Sequence, residues 1–223
     1  MKKVFVLIGA SSELSESFQI ILNNNKKDYI TISRSSNSDI FIENYIKDVK
    51  KIIKEITNYD NLYVIFFNGY LAENRPIEIP NDDDLIKTDY VNFTIPYSLT
   101  KKFIDSNLNI SKFVYISSMA AIKPRNKNYI YGLSKSKLEK SLPKIIENYL
   151  IFRFGKIDTK MSGSHGSVPF SLSKNEAANI IFNKIESNKI VYPSLKLKLI
   201  SLIISLMPIK IIDFIEKRLT RGV

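Results

Sequence analysis

The sequence has no cysteine, no tryptophan, one histidine and only seven glycines in 223 residues. Without cysteine there is no disulfide, no thiol nucleophile and no thiolate metal site, and a cytoplasmic setting is expected. The single histidine, His165 in a Ser-Gly-Ser-His-Gly-Ser run, excludes most histidine-cluster metal sites. It also excludes any Ser-His-Asp triad built on another histidine, and it reads as a loop residue. No metal is expected. Long apolar runs are also missing: none reaches the roughly 18–20 residues that span a bilayer. The apolar stretch Val4–Ile8 that follows Met1-Lys2-Lys3 is too short for a signal-peptide core and reads as a buried strand.

What is present is an ordinary globular composition, 44% hydrophobic and 25% charged, long enough for one domain with a sizeable core. The net charge is +11 and is unevenly placed. Residues 189–223 hold seven basic residues against Asp213 and Glu216. Such an excess suits an anionic membrane surface, an anionic substrate or nucleic acid. No basic stripe with interleaved aromatics is present, so no nucleic-acid partner is expected. The expected division is a catalytic, dinucleotide-binding unit over 1–193 and a basic helical tail over 194–223.

Strand-like apolar runs near 3–9, 28–33, 62–68, 112–117, 149–154 and 189–192 alternate with helix-period segments near 12–25, 46–58, 86–106, 128–147, 173–187 and 195–219. This predicts an α/β fold, a doubly wound, mostly parallel sheet with helices on both faces. A further strand-like stretch, Ile40–Asn44, follows Arg34 too closely for an ordinary parallel crossover. Either that strand is displaced or its covering helix has shrunk to a loop.

The chemistry centres on Ser117-Ser118, at the end of a predicted strand, and Tyr131 thirteen residues later, with Lys135 one helical turn beyond it. On a helix, Tyr131 and Lys135 share a face. The Tyr-x-x-x-Lys spacing also occurs at Tyr97/Lys101 and Tyr192/Lys196. Only Tyr131 has a serine thirteen positions before it and a strand signal leading into that serine. A phenol, an ammonium and a hydroxyl at the carboxyl end of a parallel strand suit proton transfer to a carbonyl that is receiving a hydride. The lysine cation is expected to lower the phenol pKa from near 10.

Other stretches suit a dinucleotide. Gly9-Ala-Ser-Ser-Glu-Leu-Ser15 turns from strand into helix, where backbone N–H groups and the positive helix end can meet phosphates. Of the glycines in the usual fingerprint only Gly9 is present, Glu13 and Ser15 standing in the later places. A carboxylate at Glu13 is unfavourable beside phosphate unless it points away. Arg34 and Ser35 end the second strand where an acidic residue would accept a ribose 2′-hydroxyl, which favours a 2′-phosphate and hence NADP(H). Asn44 is a candidate adenine contact if the third strand is displaced. Asn68-Gly69 ends the fourth strand where backbone can approach a ligand. Asn92, polar in an apolar helix, reads either as a satisfied core amide or as a positioned relay.

Together these motifs resemble the short-chain dehydrogenase/reductase family over residues 3–192. Arg153-Phe-Gly155-Lys-Ile157-Asp-Thr159 is similar to that family's Pro-Gly…Thr segment, with Phe154 in place of proline. The resemblance implies Tyr131 as proton donor or acceptor, Ser118 holding the substrate oxygen, and Lys135 binding the nicotinamide ribose while tuning Tyr131. It implies Asn92 anchoring a relay water. It also implies cofactor contacts at Gly9, Ser11, Ser12, Leu14, Arg34, Ser35, Asn44, Asn68, Gly69, Ile157 and Thr159, and a homodimer or homotetramer.

The ending, Leu195–Met207, Pro208, then Ile209–Leu219, reads as two amphipathic helices, apolar over most of their surface. Lys198, Ser201 and Ser205 form one polar stripe and Lys210, Asp213 and Lys217 another. They suit either a membrane interface or a packed hairpin or dimer contact. This ending is similar to that of decaprenylphosphoryl-2-keto-ribose reductases. That likeness implies an NADPH-dependent reductase of a keto-sugar, lipid-linked, at the inner membrane face, in cell-surface polysaccharide synthesis. A soluble nucleotide-sugar or oxo-acyl lipid substrate stays open, as does a cofactor-binding scaffold without turnover.

Overall fold

The computed structural model describes residues 2–72, 81–124, 128–163 and 170–220, with backbone alone from 215; His165 lies outside the described residues. Seven strands, β1 (Val4–Ile8), β2 (Asp28–Ser33), β3 (Ile40–Phe41), β4 (Leu62–Phe66), β5 (Ile110–Ser118), β6 (Tyr149–Phe154) and β9 (Lys189–Val191), form one sheet. Its order is β3-β2-β1-β4-β5-β6-β9, and every pairing is parallel. A separate two-stranded pair joins β7 (Ile157–Asp158) to β8 (Leu172–Ser173).

β1 and β4 are apolar at every position because both faces are covered. On β1, Phe5 and Leu7 pack with α1 (Glu13–Asn24) and α6 (Lys174–Asn183) through Leu14, Phe18, Leu22, Ala177 and Ile181. Val4, Val6 and Ile8 point the other way. There they meet α2 (Val49–Ile56), α4 (Ile95–Asp105) and α5 (Tyr129–Ser141) through Ile52, Ile56, Leu99, Phe103 and Leu138. The strand order reverses between β1 and β4, and the crevice at their carboxyl ends is where ligands bind in such sheets. Gly9 follows β1 there, and Asn68-Gly69 follow β4.

The short second crossover is resolved in favour of the loop. β3 pairs only with the last two residues of β2, Ile32 with Ile40 and Ser33 with Phe41. The chain therefore never has to travel back along the sheet, and no covering helix is needed. Asp39 closes this loop, its carboxylate accepting from the backbone and hydroxyl of Thr31 at 2.8 and 2.7 Å.

The helix expected over 86–106 is three pieces: α3 (Asp82–Asp89), a π-helical turn over Tyr90–Thr94, and α4. Pro96 has no N–H to give the Asn92 carbonyl, which removes an α-helical bond at that point and accounts for the widened turn. At the end of the chain α7 (Leu195–Leu206) and α8 (Ile209–Thr220) are separated at Met207-Pro208. Met207 is extended, as the residue before proline prefers. No helix among the described residues is long and apolar enough to cross a membrane.

Candidate active site

β5 delivers Ser118 at its carboxyl end, and α5 brings Tyr131 and Lys135 over it. The Tyr131 and Ser118 hydroxyls lie near one another, the serine acting to lower the phenol pKa. Ser118 Oγ also accepts from the Ala120 amide at 3.2 Å, fixing the start of the following turn. α5 can lie this close because Gly132 has no side chain: a Cβ there would stand 2.7 Å from the Ala120 carbonyl oxygen.

Lys135 is buried, and its ammonium reaches back to the sheet. Nζ donates to the Ile116 carbonyl at 3.0 Å and to the Asn68 carbonyl at 3.5 Å, and it lies 5.8 Å from the Tyr131 ring centroid. The three groups are thus brought together, but the electrostatics differ from expectation. Burial pushes the Tyr131 phenol up to about 12, against the opposing effect of Ser118. Burial also lowers Lys135 to about 8, with the Glu139 carboxylate working the other way. Burial dominates the resting phenol, and Tyr131 is held protonated, the form needed to give a proton away.

This carries a stability consequence. The native Lys135 pKa lies below its ordinary value near 10.5, so the native state binds fewer protons than the unfolded chain between about pH 8 and 10.5. Stability rises with pH across that window, and the cost of burying the ammonium is fully present below it. Lys135→Met removes this cost. Its melting temperature is expected to exceed the parent's at pH 6.5, with the gap narrowing as pH rises from 8 toward 10. A gap independent of pH in thermal scans would show that Lys135 is not depressed.

Asn92, fully buried in the π-helical turn, holds the segment after β4 against α5. Its Oδ1 accepts from the Tyr70 amide at 2.9 Å, and its Nδ2 donates to the Tyr70 carbonyl at 2.8 Å and to Ser134 Oγ at 3.2 Å. Ser134 Oγ in turn donates to the Tyr131 carbonyl at 2.8 Å. The other two Tyr-x-x-x-Lys pairs lie apart from this cluster. Tyr97 stacks on Phe93, and Tyr192 accepts from Arg153 at 2.6 Å.

At the glycine turn Gly9 has φ +81°, and a Cβ would stand 3.0 Å from the Asn68 amide nitrogen. Both facts favour glycine there. Ser12 is the N-cap of α1, accepting from Ser15 at 3.3 Å, while Ser11 is exposed. The Leu14 side chain is buried in the core, so only its backbone can face a ligand. The Glu13 carboxylate reaches across the crevice instead of into the turn. It accepts from the Lys160 amide at 2.6 Å and from Lys174 Nζ at 3.5 Å, and these contacts lower its pKa, the Lys160 bond most. Glu13 thereby ties the turn to the segment carrying Ile157 and Thr159. That segment also lies over Gly69, where a Cβ would stand 3.2 Å from Met161 Cε. Thr159 caps the short 3₁₀ turn Lys160–Ser162.

Arg34 is exposed at the end of β2, beside the half-buried Ser35, whose amide donates to Ser33 Oγ at 3.0 Å. Asn44 Oδ1 is engaged with the amides of Ile46 and Lys47, at 2.9 and 3.1 Å, and with the Tyr90 hydroxyl at 3.3 Å. It organises its own loop. Tyr45, which the sequence reading passed over, is the residue of this loop that reaches the crevice. Its buried hydroxyl lies near the Asn68 side chain and the Gly9 backbone, with Arg34 nearby. Asn68 Oδ1 is itself buried with no hydrogen-bond partner among the described residues. A glycine cradle, an exposed guanidinium and an unpaired buried acceptor along one crevice fit a dinucleotide. No group of three or more His, Asp or Glu residues able to hold a metal occurs among the described residues.

A second polar cluster lies directly behind the catalytic one. Ser117 Oγ donates to Glu139 Oε1 at 2.6 Å, and Arg153 clasps the same carboxylate through Nε, at 3.1 and 2.9 Å, and through Nη2. Glu139 is one helical turn beyond Lys135, a spacing visible in the sequence but not drawn upon there.

No protein-family model and no curated protein sequence matches the chain. Solved structures do match. A short-chain dehydrogenase from Burkholderia cenocepacia, in complex with NADP, is 15% identical with a TM-score of 0.74, covering 92% of this chain and 95% of that one. An alcohol dehydrogenase from the archaeon Thermococcus sibiricus, complexed with 5-hydroxy-NADP, is 18% identical with a TM-score of 0.70, over 86% and 96%. The Thermoplasma acidophilum aldohexose dehydrogenase in ligand-free form is 16% identical with a TM-score of 0.69, over 88% and 94%. With a parallel sheet of the same kind matched over nearly its whole length, the chain has the fold of the short-chain dehydrogenases.

Proposed function

We propose that this chain is an NADP(H)-dependent oxidoreductase acting on CH–OH and ketone groups, working as a ketone reductase with Tyr131 as proton donor. The observation that carries this reading is the meeting of the Tyr131 and Ser118 hydroxyls with the buried Lys135 at the carboxyl end of β5. The NADP complexes among the similar structures support the choice of cofactor. Bound NADPH would supply a hydride to the carbonyl carbon. Ser118 holds the carbonyl oxygen, and the Tyr131 phenol gives that oxygen its proton as the C=O π bond opens. The Lys135 ammonium stabilises the phenolate left behind. Asn92 keeps α5 and the segment after β4 in register, and Gly9, Asn68 and Gly69 line the path of the cofactor.

Arg34 and Ser35 set the cofactor preference. A guanidinium attracts a 2′-phosphate, and no carboxylate is offered to a free ribose 2′-hydroxyl. NADPH is expected to bind at least tenfold tighter than NADH, about 1.4 kcal/mol, with Arg34→Glu reversing the order. Fluorescence titration giving equal affinities would overturn the assignment. For the substrate we propose a keto-sugar carried on a polyprenyl phosphate at the inner membrane face, on the path to a cell-surface polysaccharide. The basic, apolar ending of the chain supports this reading. Turnover of a keto-pentose on a short prenyl phosphate, against the same sugar on a nucleotide, tests it: preference for the nucleotide form would remove the lipid.

A further inference from the structure

α7 turns a narrow side toward the domain and leaves most of its large apolar side chains outside. Ser201 and Leu197 face the domain at 4% and 6% exposure, whereas Leu195, Leu199, Leu202, Ile203 and Leu206 stand 55–85% exposed. Of the expected polar stripe, Lys198 and Ser205 are exposed and Ser201 is buried. Ser201 satisfies its hydroxyl within the helix, on the Lys198 carbonyl at 2.6 Å. α8 continues the apolar surface with Ile211 and Phe214 exposed, while Ile212 is its buried anchor. Leaving this many large side chains in water while burying a serine runs against the transfer preferences of both. A contiguous patch of this kind marks a surface that meets an apolar partner.

The helix is fastened to both walls of the catalytic crevice. At its start, the Leu197 methyl carbons lie 3.9 and 4.0 Å from where a Cβ on Gly155 would stand, just before Ile157 and Thr159. At its end, Lys123 Nζ donates to the carbonyls of Ser205 and Met207 at 3.0 and 2.6 Å, satisfying groups that the helix terminus leaves free. Lys123 belongs to the segment that leaves Ser118. The exposed apolar face thus lies beside the catalytic crevice.

The charges choose between a bilayer and a second copy of the chain. Lys196, Lys198 and Lys210 are exposed around the patch, and α7 contains no acidic residue. In a twofold contact the same surface meets itself, which would set these lysines against one another. An anionic bilayer instead supplies the opposite sign at the rim and hydrocarbon at the centre. We propose that α7 and α8 seat this protein on an anionic lipid bilayer, with the catalytic crevice held at headgroup depth. The seating stands apart from the redox chemistry, and its use for a lipid-carried substrate rests on the reductase reading.

The test is sedimentation of the full chain with phosphatidylglycerol-containing vesicles and with neutral phosphatidylcholine vesicles, beside an NADPH titration of each sample. Binding is expected at least tenfold tighter to anionic vesicles and to weaken with salt. The triple substitution Lys196→Gln, Lys198→Gln, Lys210→Gln should weaken it on the order of a hundredfold. Leu199→Glu with Leu206→Glu, both at exposed positions, should abolish it while the melting temperature and NADPH affinity hold. Absence of vesicle binding by the parent, or binding indifferent to these substitutions, overturns the proposal. So does a dimer in sedimentation velocity that the double glutamate variant splits without any lipid effect, which would assign the face to a second copy. Vesicle binding lost or absent with NADPH binding intact removes the seating and leaves the reductase standing. Vesicle binding without NADPH binding does the reverse.

Discussion

Tyr131→Phe is expected to lower ketone reduction by a factor on the order of 10²–10⁴ while leaving NADPH affinity unchanged. The ring stays, so packing on α5 stays. What goes is the phenol beside Ser118. The size of the loss follows from the electrostatics of the site. A phenol held near 12 by burial is protonated throughout the physiological range, so every resting molecule is a competent donor. Removing the group then removes the donor entirely instead of shifting a titration. The buried Lys135 cannot substitute for it, since its Nζ is committed to the Ile116 and Asn68 carbonyls. The same change at Tyr97 or Tyr192 should leave turnover within a few-fold of the parent. Steady-state rates with NADPH and a small ketone measure all three, and retention of most activity in Tyr131→Phe would remove the phenol from the mechanism.

Much of the fold was legible because β1 and β4 are apolar throughout and strand-length apolar runs alternate with helix-length segments. That alternation pointed to a doubly wound, mostly parallel sheet. What was not legible depended on single residues acting against pattern. The break of the helix over 86–106 comes from one missing N–H at Pro96, which a periodicity argument reads as a tolerated residue. The two-residue β3 was awkward because a crossover rule for full strands was applied to a strand that pairs only at its tip.

At the site, a strand end and one helical turn fix the relative positions of Ser118, Tyr131 and Lys135, which is why their spacing drew attention. Spacing could not give their charge state. The phenol is raised and not lowered, because burial depends on what covers the groups. Glu13 was unfavourable on paper as a carboxylate in a phosphate turn. Its reach to the Lys160 amide and Lys174 was a long-range contact invisible in sequence. Tyr45 carried no signal beyond being an aromatic in a polar loop. In the tail the amphipathic period was readable, but not that Ser201 would be buried while Leu199 and Leu206 stay exposed.

The pair behind the catalytic residues should govern stability. Glu139 and Arg153 are joined by Nε and Nη2 contacts, and their side chains are only 6% and 18% exposed. Burial opposes the Arg153 charge, and the Glu139 contacts more than compensate, leaving its pKa raised. Glu139→Ala strands that guanidinium in a largely dry setting and deprives Ser117 Oγ of its acceptor. Breaking one side of a buried pair in this way costs about 3–5 kcal/mol, a large share of the stability of a single domain. Replacing both partners together, Glu139→Leu with Arg153→Leu, leaves no charge unpaired and should recover most of the loss. Only the Ser117 and Tyr192 hydroxyls then seek new partners. The double variant should nevertheless be slower than the parent. The clasp fixes Ser117, the residue before Ser118, and Glu139 is the carboxylate that favours the charged form of Lys135. Chemical denaturation of the parent, Glu139→Leu, Arg153→Leu and the double variant gives the coupling directly. If the single and double losses simply add, the two side chains are independent. The cluster would then be packing that happens to carry charge, not a brace holding β5 and α5 in catalytic register.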